Sequence, residues 1–167
     1  MDVKQLIKGA RLPEDTVSLC LRADLVAEYE RVQAEHSKAQ QAAGQSLAGS
    51  GGTVVALDER LAELREEMSG SMLTLTLRGL PSHRYQELID QHPPRTTGEG
   101  VEPRDRLGFN ADTFFPALAR ACTVAPDLDD EDWDALLGDD GKLTDAQVSK
   151  LCNTAYVLNR KDINLPF

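Results

Sequence analysis

Two short stretches of the chain alternate apolar and polar residues, and the sequence between them repeats apolar residues at helical spacing. The alternating runs cover residues 16–21 and 71–77, and each places its leucines and valine on one side. A period of two is typical of a half-buried strand, whereas steps of three and four are typical of a helix. The pattern therefore predicts a strand, two helices and a returning strand.

The two predicted helices carry apolar stripes and are joined by a Gly- and Ser-rich reversal at residues 44–53. A reversal of this composition is flexible, and a short connection favours antiparallel neighbours. Helices of about 20 and 15 residues would form an arm about 25 to 30 Å long. The stripe positions are Leu25, Tyr29, Val32 and His36 on the first helix, and Val54, Leu57, Leu61, Leu64 and Met68 on the second.

The stripes allow two interpretations. In the first, they bind a partner or form an oligomeric coiled coil, and the candidate partner-binding residues are Leu25, Tyr29, Val32, Leu57, Leu61 and Leu64. In the second, the two helices bury the stripes against each other. A seam of about two heptads is short for specifying an oligomer, so the second interpretation is favoured. A homo-oligomer stays open.

The second half of the chain predicts helices separated by clear stop and start signals. A helix opened by Pro81 should stop at His92-Pro93-Pro94, because proline disfavours helix in the residue before it. Asn110 should cap a helix over 111–122 with Phe114, Phe115, Leu118 and Cys122 on its buried face. A short acidic helix over 129–137 and a last helix with a capping box at Thr144 should follow, and the tail from Lys161 docks or stays free.

These elements predict a mainly α, α+β fold. We expect a small two-stranded sheet bearing an antiparallel helical hairpin, followed by a carboxy-terminal helical bundle. Residues 95–108 are polar and should be mobile. The predicted organisation is therefore 1–92 for the strands, hairpin and first helix, 93–109 for a linker, and 110–167 for an all-helical part.

Charge and composition narrow the class of partner. The formal charge is -10, and the cations are dispersed rather than clustered, which disfavours binding to nucleic acid or to an anionic membrane. No apolar run reaches the roughly 18 residues that span a bilayer, and the first residues lack a secretory signal pattern, so we expect a cytoplasmic protein. The three cysteines, Cys20, Cys122 and Cys152, lie far apart in apolar stretches, as reduced core residues do.

The sequence offers little for catalysis or for a cofactor. His36, His83 and His92 lie in separate segments without metal-ligand spacing, and neither a phosphate loop nor a nucleophile elbow occurs. Residues 139–147 resemble the second half of a calcium loop, but with Gly141 at loop position six, Leu136, Gly138 and Gln147 fall where carboxylates are needed. We therefore expect no enzyme activity, no catalytic or cofactor-binding residues and no metal site.

Several segments resemble the tail assembly chaperones of long-tailed (siphovirus-type) phages and prophages of actinobacteria. The matching segments cover most of the chain: the opening Val17-Ser-Leu-Cys-Leu-Arg-Ala-Asp-Leu25, the Gln- and Ala-rich hairpin, the strand Leu73-Thr-Leu-Thr-Leu-Arg78, Tyr85-Gln-Glu-Leu-Ile-Asp-Gln-His-Pro-Pro94, Gly108-Phe-Asn-Ala-Asp-Thr-Phe-Phe-Pro-Ala-Leu118, and the closing capped helix that ends near Asn159. The family often has tryptophan where this chain has Tyr85.

The resemblance implies a non-enzymatic role. Such a chaperone binds the long helical tape-measure protein in the host cytoplasm while tail-tube subunits polymerise around it, and it is not expected in the mature virion. A longer frameshifted form would add a contact to the tail-tube protein. Two alternatives stay open: a tail or head-completion protein retained in the virion, and a host coiled-coil adaptor.

Overall fold

The computed structural model describes residues 2–45 and 51–162, and within them the chain is mainly helical with short strands. The helices are α1 Val3–Gly9, α2 Asp24–Gln45, α3 Gly51–Gly70, α4 Ser82–Gln91, α5 Ala111–Cys122, α6 Asp130–Leu137 and α7 Asp145–Arg160, with a 3-10 turn at Pro103–Asp105. The strands are β1 Glu14–Cys20, β2 Met72–Arg78, β3 Thr96–Thr97, β4 Gly100–Val101 and β5 Thr123–Ala125. Of the reversal predicted at residues 44–53, residues 46–50 lie outside the described residues, and the others belong to α2 and α3, which extend further than predicted. The tail from 163 also lies outside the described residues.

The alternating runs form strands, as their period predicts. Every second residue is buried at Val17 and Leu19 in β1 and at Leu75 and Leu77 in β2. The sheet has three strands rather than the predicted two, in the order β1-β2-β5, and β5 pairs antiparallel with β2. Strand β5 is only three residues long and follows α5 directly, so it is too short to show an alternating pattern.

The chain divides into two compact units, and the division falls within the strands. Residues 18–73 form one unit, which holds the hairpin of α2 and α3. The residues up to Val17 and those from Thr74 onward form the other. The division thus differs from the boundary predicted at 93–109, because residues 93–109 are ordered within the second unit.

The core of the second unit is built around α5. Phe114, Leu118 and Cys122 are fully buried at intervals of four residues, on the face that the sequence predicts. Helix α7 contributes Leu151 and Ala155, which are also fully buried. Asn110 caps α5 by accepting a hydrogen bond from the Asp112 amide at 3.1 Å, and Thr144 and Gln147 form the predicted capping box of α7. The predicted carboxy-terminal helical bundle is therefore confirmed, but residues 110–167 are not all-helical, because they include strand β5.

Candidate functional site

The apolar stripes of the hairpin are buried against each other. Leu25, Val32, Leu61 and Leu64 form one core cluster, and each is at most 5% exposed. Tyr29, Leu57 and Met68 are partly buried and pack against this cluster. All six residues predicted to bind a partner therefore contribute to the hairpin's own packing. They do not form an open surface, because each stripe covers the other.

Polar contacts along the edge of the hairpin fix the alignment of α2 and α3. Arg60 Nη2 donates to Glu28 Oε1 at 2.7 Å, and Arg65 Nη2 donates to the Tyr29 hydroxyl at 2.8 Å. The Arg60 guanidinium also pairs with Glu63 at 3.0 Å. Hydrogen bonds to these carboxylates raise the pKa of Arg60. A partner protein could therefore contact the apolar seam only after these hydrogen bonds were broken and the two helices separated.

The segment predicted as a mobile linker is organised around a buried carboxylate. Asp105 has no exposed surface, and its two oxygens accept four hydrogen bonds. Three come from Arg95, from its amide at 2.8 Å, Nε at 2.9 Å and Nη2 at 2.8 Å. The fourth comes from the Ala111 amide at 3.1 Å. We call this arrangement the Asp105 clamp.

The clamp also changes the pKa of its carboxylate. The hydrogen bonds from Arg95 hold the pKa of Asp105 well below its usual range, and they outweigh the desolvation that would raise it. Arg95 remains 41% exposed and also pairs with Asp112 at 2.7 Å, so the clamp lies just beneath the surface. The carboxylate is fully satisfied by these partners, which is typical of a structural group rather than of a catalytic base.

The clamp closes residues 92–110 into a compact loop. The Asn110 amide donates to the His92 carbonyl at 2.8 Å, which joins the two ends of the segment. Between them, Phe109 packs on Phe114 with ring centroids 3.9 Å apart. The segment predicted as a mobile linker, residues 95–108, therefore makes specific contacts with the residues around it. Arg95 and Asp105 are ten residues apart in a non-helical segment, and no spacing rule connects such a pair.

An open apolar groove with an acidic rim lies between α5 and α6, and the sequence analysis did not predict it. Its volume is about 320 Å³. Asp130 and Asp134 occupy the rim, and Asp130 pairs with Arg120. The groove is lined by Pro116, Ala117, Arg120, Asp130, Trp133, Asp134, Leu137 and Gly138. Apolar groups thus line a recess bordered by two carboxylates and one guanidinium. Because Arg120 pairs with Asp130, Asp134 is the carboxylate that suits a cation next to an apolar side chain.

Helix α6 is positioned by its own first residues. The Asp129 side chain accepts from the Asp132 amide at 2.9 Å, and the Asp132 side chain accepts from the Asp129 amide at 3.2 Å. This capping box starts the helix so that Trp133, which is 6% exposed, lies at the groove. Acidic residues in the first turn also favour the helix dipole. Of the two carboxylates at the groove, Asp130 lies in this first turn and Asp134 does not.

Among residues 2–45 and 51–162, no group of three or more His, Cys, Asp or Glu side chains is placed to hold a metal ion. Burial raises the pKa of the Cys152 thiol to about 11, so this thiol stays protonated at neutral pH. None of the helices in these two ranges combines the length and apolar character needed to cross a bilayer.

Comparisons with known proteins do not add a relative. No protein-family model matches the sequence, and no match to it is found among curated proteins or solved structures.

Proposed function

We propose that the chain is a non-enzymatic tail assembly chaperone of a long-tailed actinobacterial phage or prophage, and that it binds the tape-measure protein. It would act in the host cytoplasm and be absent from the mature virion. A longer frameshifted product would provide the contact to the tail-tube protein. The sequence segments quoted above support the family, and the mainly helical fold with a hairpin is compatible with it.

The observation that carries the proposal is the acidic groove between α5 and α6. A tape-measure chain is a long helical protein whose apolar surface is exposed before the tail tube covers it. An amphipathic helix binds a hydrophobic groove by inserting side chains at steps of three and four residues. Carboxylates on the rim add affinity for a helix that carries cations next to its apolar face, and they disfavour an acidic helix.

The groove replaces the hairpin stripes as the proposed contact. The stripes are closed by their own packing, and binding through them would first have to separate α2 from α3. The groove is open and needs no such rearrangement. Trp133 and Leu137 provide apolar surface there, and aromatic side chains often dominate the energetics of such contacts.

Co-expression with the tape-measure gene encoded nearby tests the proposal. A tape-measure fragment that aggregates alone should stay soluble with this chain and should be retained in a pull-down at both about 0.15 M and 0.5 M salt, because apolar burial is not screened. The proposal fails if the fragment is neither solubilised nor retained. Mass spectrometry of purified particles tests the virion alternative, because a chaperone should be absent from them.

Two variants on one helix test the groove itself. Ala117→Glu introduces a charged side chain into the groove, whereas Ala121→Glu makes the same change at an exposed position of α5. Retention of the tape-measure fragment should drop at least about tenfold with Ala117→Glu and stay unchanged with Ala121→Glu. A tenfold drop in affinity corresponds to a loss of about 1.4 kcal/mol of binding free energy. Equal retention with both variants would place the contact elsewhere on the chain.

A further inference from the structure

Helix α1 presents an apolar face to solvent. Val3, Leu6 and Ile7 are 64%, 55% and 70% exposed, and all seven residues of the helix are exposed. These three positions follow the steps of three and four that place side chains on one face. Asp2 caps the helix by accepting from the Lys4 amide at 3.0 Å, so the helix has a defined start. The face is therefore formed but uncovered in the single chain.

A basic edge follows this face, although the chain as a whole is acidic. Lys4 and Lys8 are one turn apart, on the same side of the apolar stripe, and Arg11 follows the helix. Long cationic side chains can extend past an apolar contact and place their charge at its border. Helix α1 thus combines an apolar centre with cations along one side.

The groove between α5 and α6 has the complementary properties. Its lining is apolar at Pro116, Ala117 and Leu137. Its charged groups are Asp130, Asp134 and Arg120, and because Arg120 pairs with Asp130, Asp134 is the carboxylate left to face a cation. The groove lies in the most acidic part of the sequence, with eight Asp and Glu residues and no Lys or Arg between residues 127 and 141. A short helix with apolar side chains at steps of three and four and lysines along one edge fits this surface. Helix α1 is such a helix, and its full exposure shows that it does not occupy the groove of its own chain.

We propose that copies of the chain associate head to tail, with α1 of one copy bound in the α5–α6 groove of the next. Val3, Leu6 and Ile7 enter the apolar recess, and Lys4 and Lys8 face the carboxylates of the rim. Each copy uses two different surfaces, so the interface is heterologous and can extend into rings or open chains. Only three apolar side chains are buried per contact, and association is therefore weak, with a Kd between roughly 10 µM and 1 mM.

The inference concerns the same groove as the proposed function, but it requires no tape-measure protein. Self-association would cover the groove and α1 until a client helix competes for the groove. Because the experiment below uses the chain alone, its failure would leave the tape-measure proposal standing, and failure of the pull-down would leave self-association standing.

Sedimentation velocity over a concentration series provides the first test. The weight-average mass of the wild-type chain should rise between about 10 µM and 1 mM. Leu6→Asp should abolish this rise, whereas Gln5→Asp, which adds the same charge on the other side of α1, should reduce it far less. Asp134→Lys should also abolish the rise, whereas Asp139→Lys, which changes the charge outside the groove, should not. Each variant changes an exposed residue, so folding should be retained, and far-ultraviolet circular dichroism checks this.

A mixing experiment tests whether the two surfaces meet. Leu6→Asp retains an intact groove, and Asp134→Lys retains an intact α1. Neither variant should associate alone, but their mixture should form a dimer that grows no further, because only one contact can form. Trp133 is the single tryptophan and lies at the groove, so its fluorescence should shift on mixing.

Four results would overturn the proposal. The first is a wild-type chain that stays monomeric throughout the series. The second is a Leu6→Asp variant that associates as the wild type does. The third is a mixture of the two defective variants that stays monomeric. The fourth is a change in Trp133 fluorescence caused by Leu6→Asp at concentrations at which the wild type is monomeric. Such a change would mean that α1 contacts the groove of its own chain.

Discussion

The hairpin of α2 and α3 and the loop of residues 92–110 are held together by different physics. The hairpin is held by an apolar seam in which Leu64 is fully buried and Leu25, Val32 and Leu61 are each 5% exposed. The loop is held by the carboxylate of Asp105, which has no exposed surface and accepts four hydrogen bonds. The seam distributes its stability over several side chains, whereas the clamp depends on a single pair of residues.

The difference explains which region could be predicted from sequence. An apolar seam must repeat at helical spacing along both helices, so its period appears in the sequence. A carboxylate and a guanidinium need only meet in space. In the sequence, the polar residues of the loop are therefore indistinguishable from those of a mobile linker. The pairing of Arg95 with Asp105 is visible only in the structure.

The largest expected effect comes from placing a charge in the seam. Leu64→Asp should lower the free energy of unfolding of the hairpin by at least about 3 kcal/mol, because it removes a buried leucine and leaves a carboxylate in an apolar environment. Urea unfolding followed by far-ultraviolet circular dichroism measures the loss. The exposed residue Glu59 provides the control, since Glu59→Ala should change stability by no more than about 0.5 kcal/mol. Equal losses for the two variants would contradict the seam.

A smaller and more local effect is expected from the clamp. Asp105→Asn keeps the shape of the side chain but turns an amide donor toward the Arg95 guanidinium, which has no acceptor. Amide hydrogen exchange should accelerate at least about tenfold at Arg95 and Ala111, and should be unchanged in α2 and α3. Unchanged exchange at both amides would show that the loop does not depend on this carboxylate.

The clamp should also make stability depend on pH in the acidic range. The folded-state pKa of Asp105 lies below the value of about 3.9 for an unfolded Asp, so the unfolded chain takes up the proton first as the pH falls. The stabilisation is complete above about pH 5 and is lost progressively below about pH 4. The difference in urea midpoint between wild type and Asp105→Asn should therefore shrink from pH 6 to pH 3. The exposed change Asp90→Asn provides the comparison.

The smallest effect is expected at the hairpin tip. Residues 46–50 lie between the described ends of α2 and α3, and replacing them with a four-residue turn should change the free energy of unfolding by less than about 1 kcal/mol, because loop-closure entropy varies slowly with length. Thermal unfolding measures the change. A large loss of helical signal would mean that the tip supports the seam.

Much of the fold followed from local rules. The parts that could not be predicted have a common cause, because they depend on tertiary packing. The caps at Asn110 and Thr144 and the alternation in β1 and β2 depend on neighbours in sequence, so they were predicted. Strand β5 depends on pairing with the distant strand β2, and the groove depends on how α5 and α6 pack. The stripe residues were identified as apolar surfaces, and the favoured interpretation, in which the two helices bury them against each other, agrees with the structure.

The central claim is that a helical client binds the α5–α6 groove while the hairpin seam stays closed. Amide hydrogen exchange of the chain, measured with and without a tape-measure fragment, tests this claim most directly. We expect slower exchange in α5 and α6 on binding and no change in α2 and α3. Faster exchange in α2 and α3 on binding would mean that the hairpin opens to receive the client. That result, or no protection anywhere, would contradict the claim.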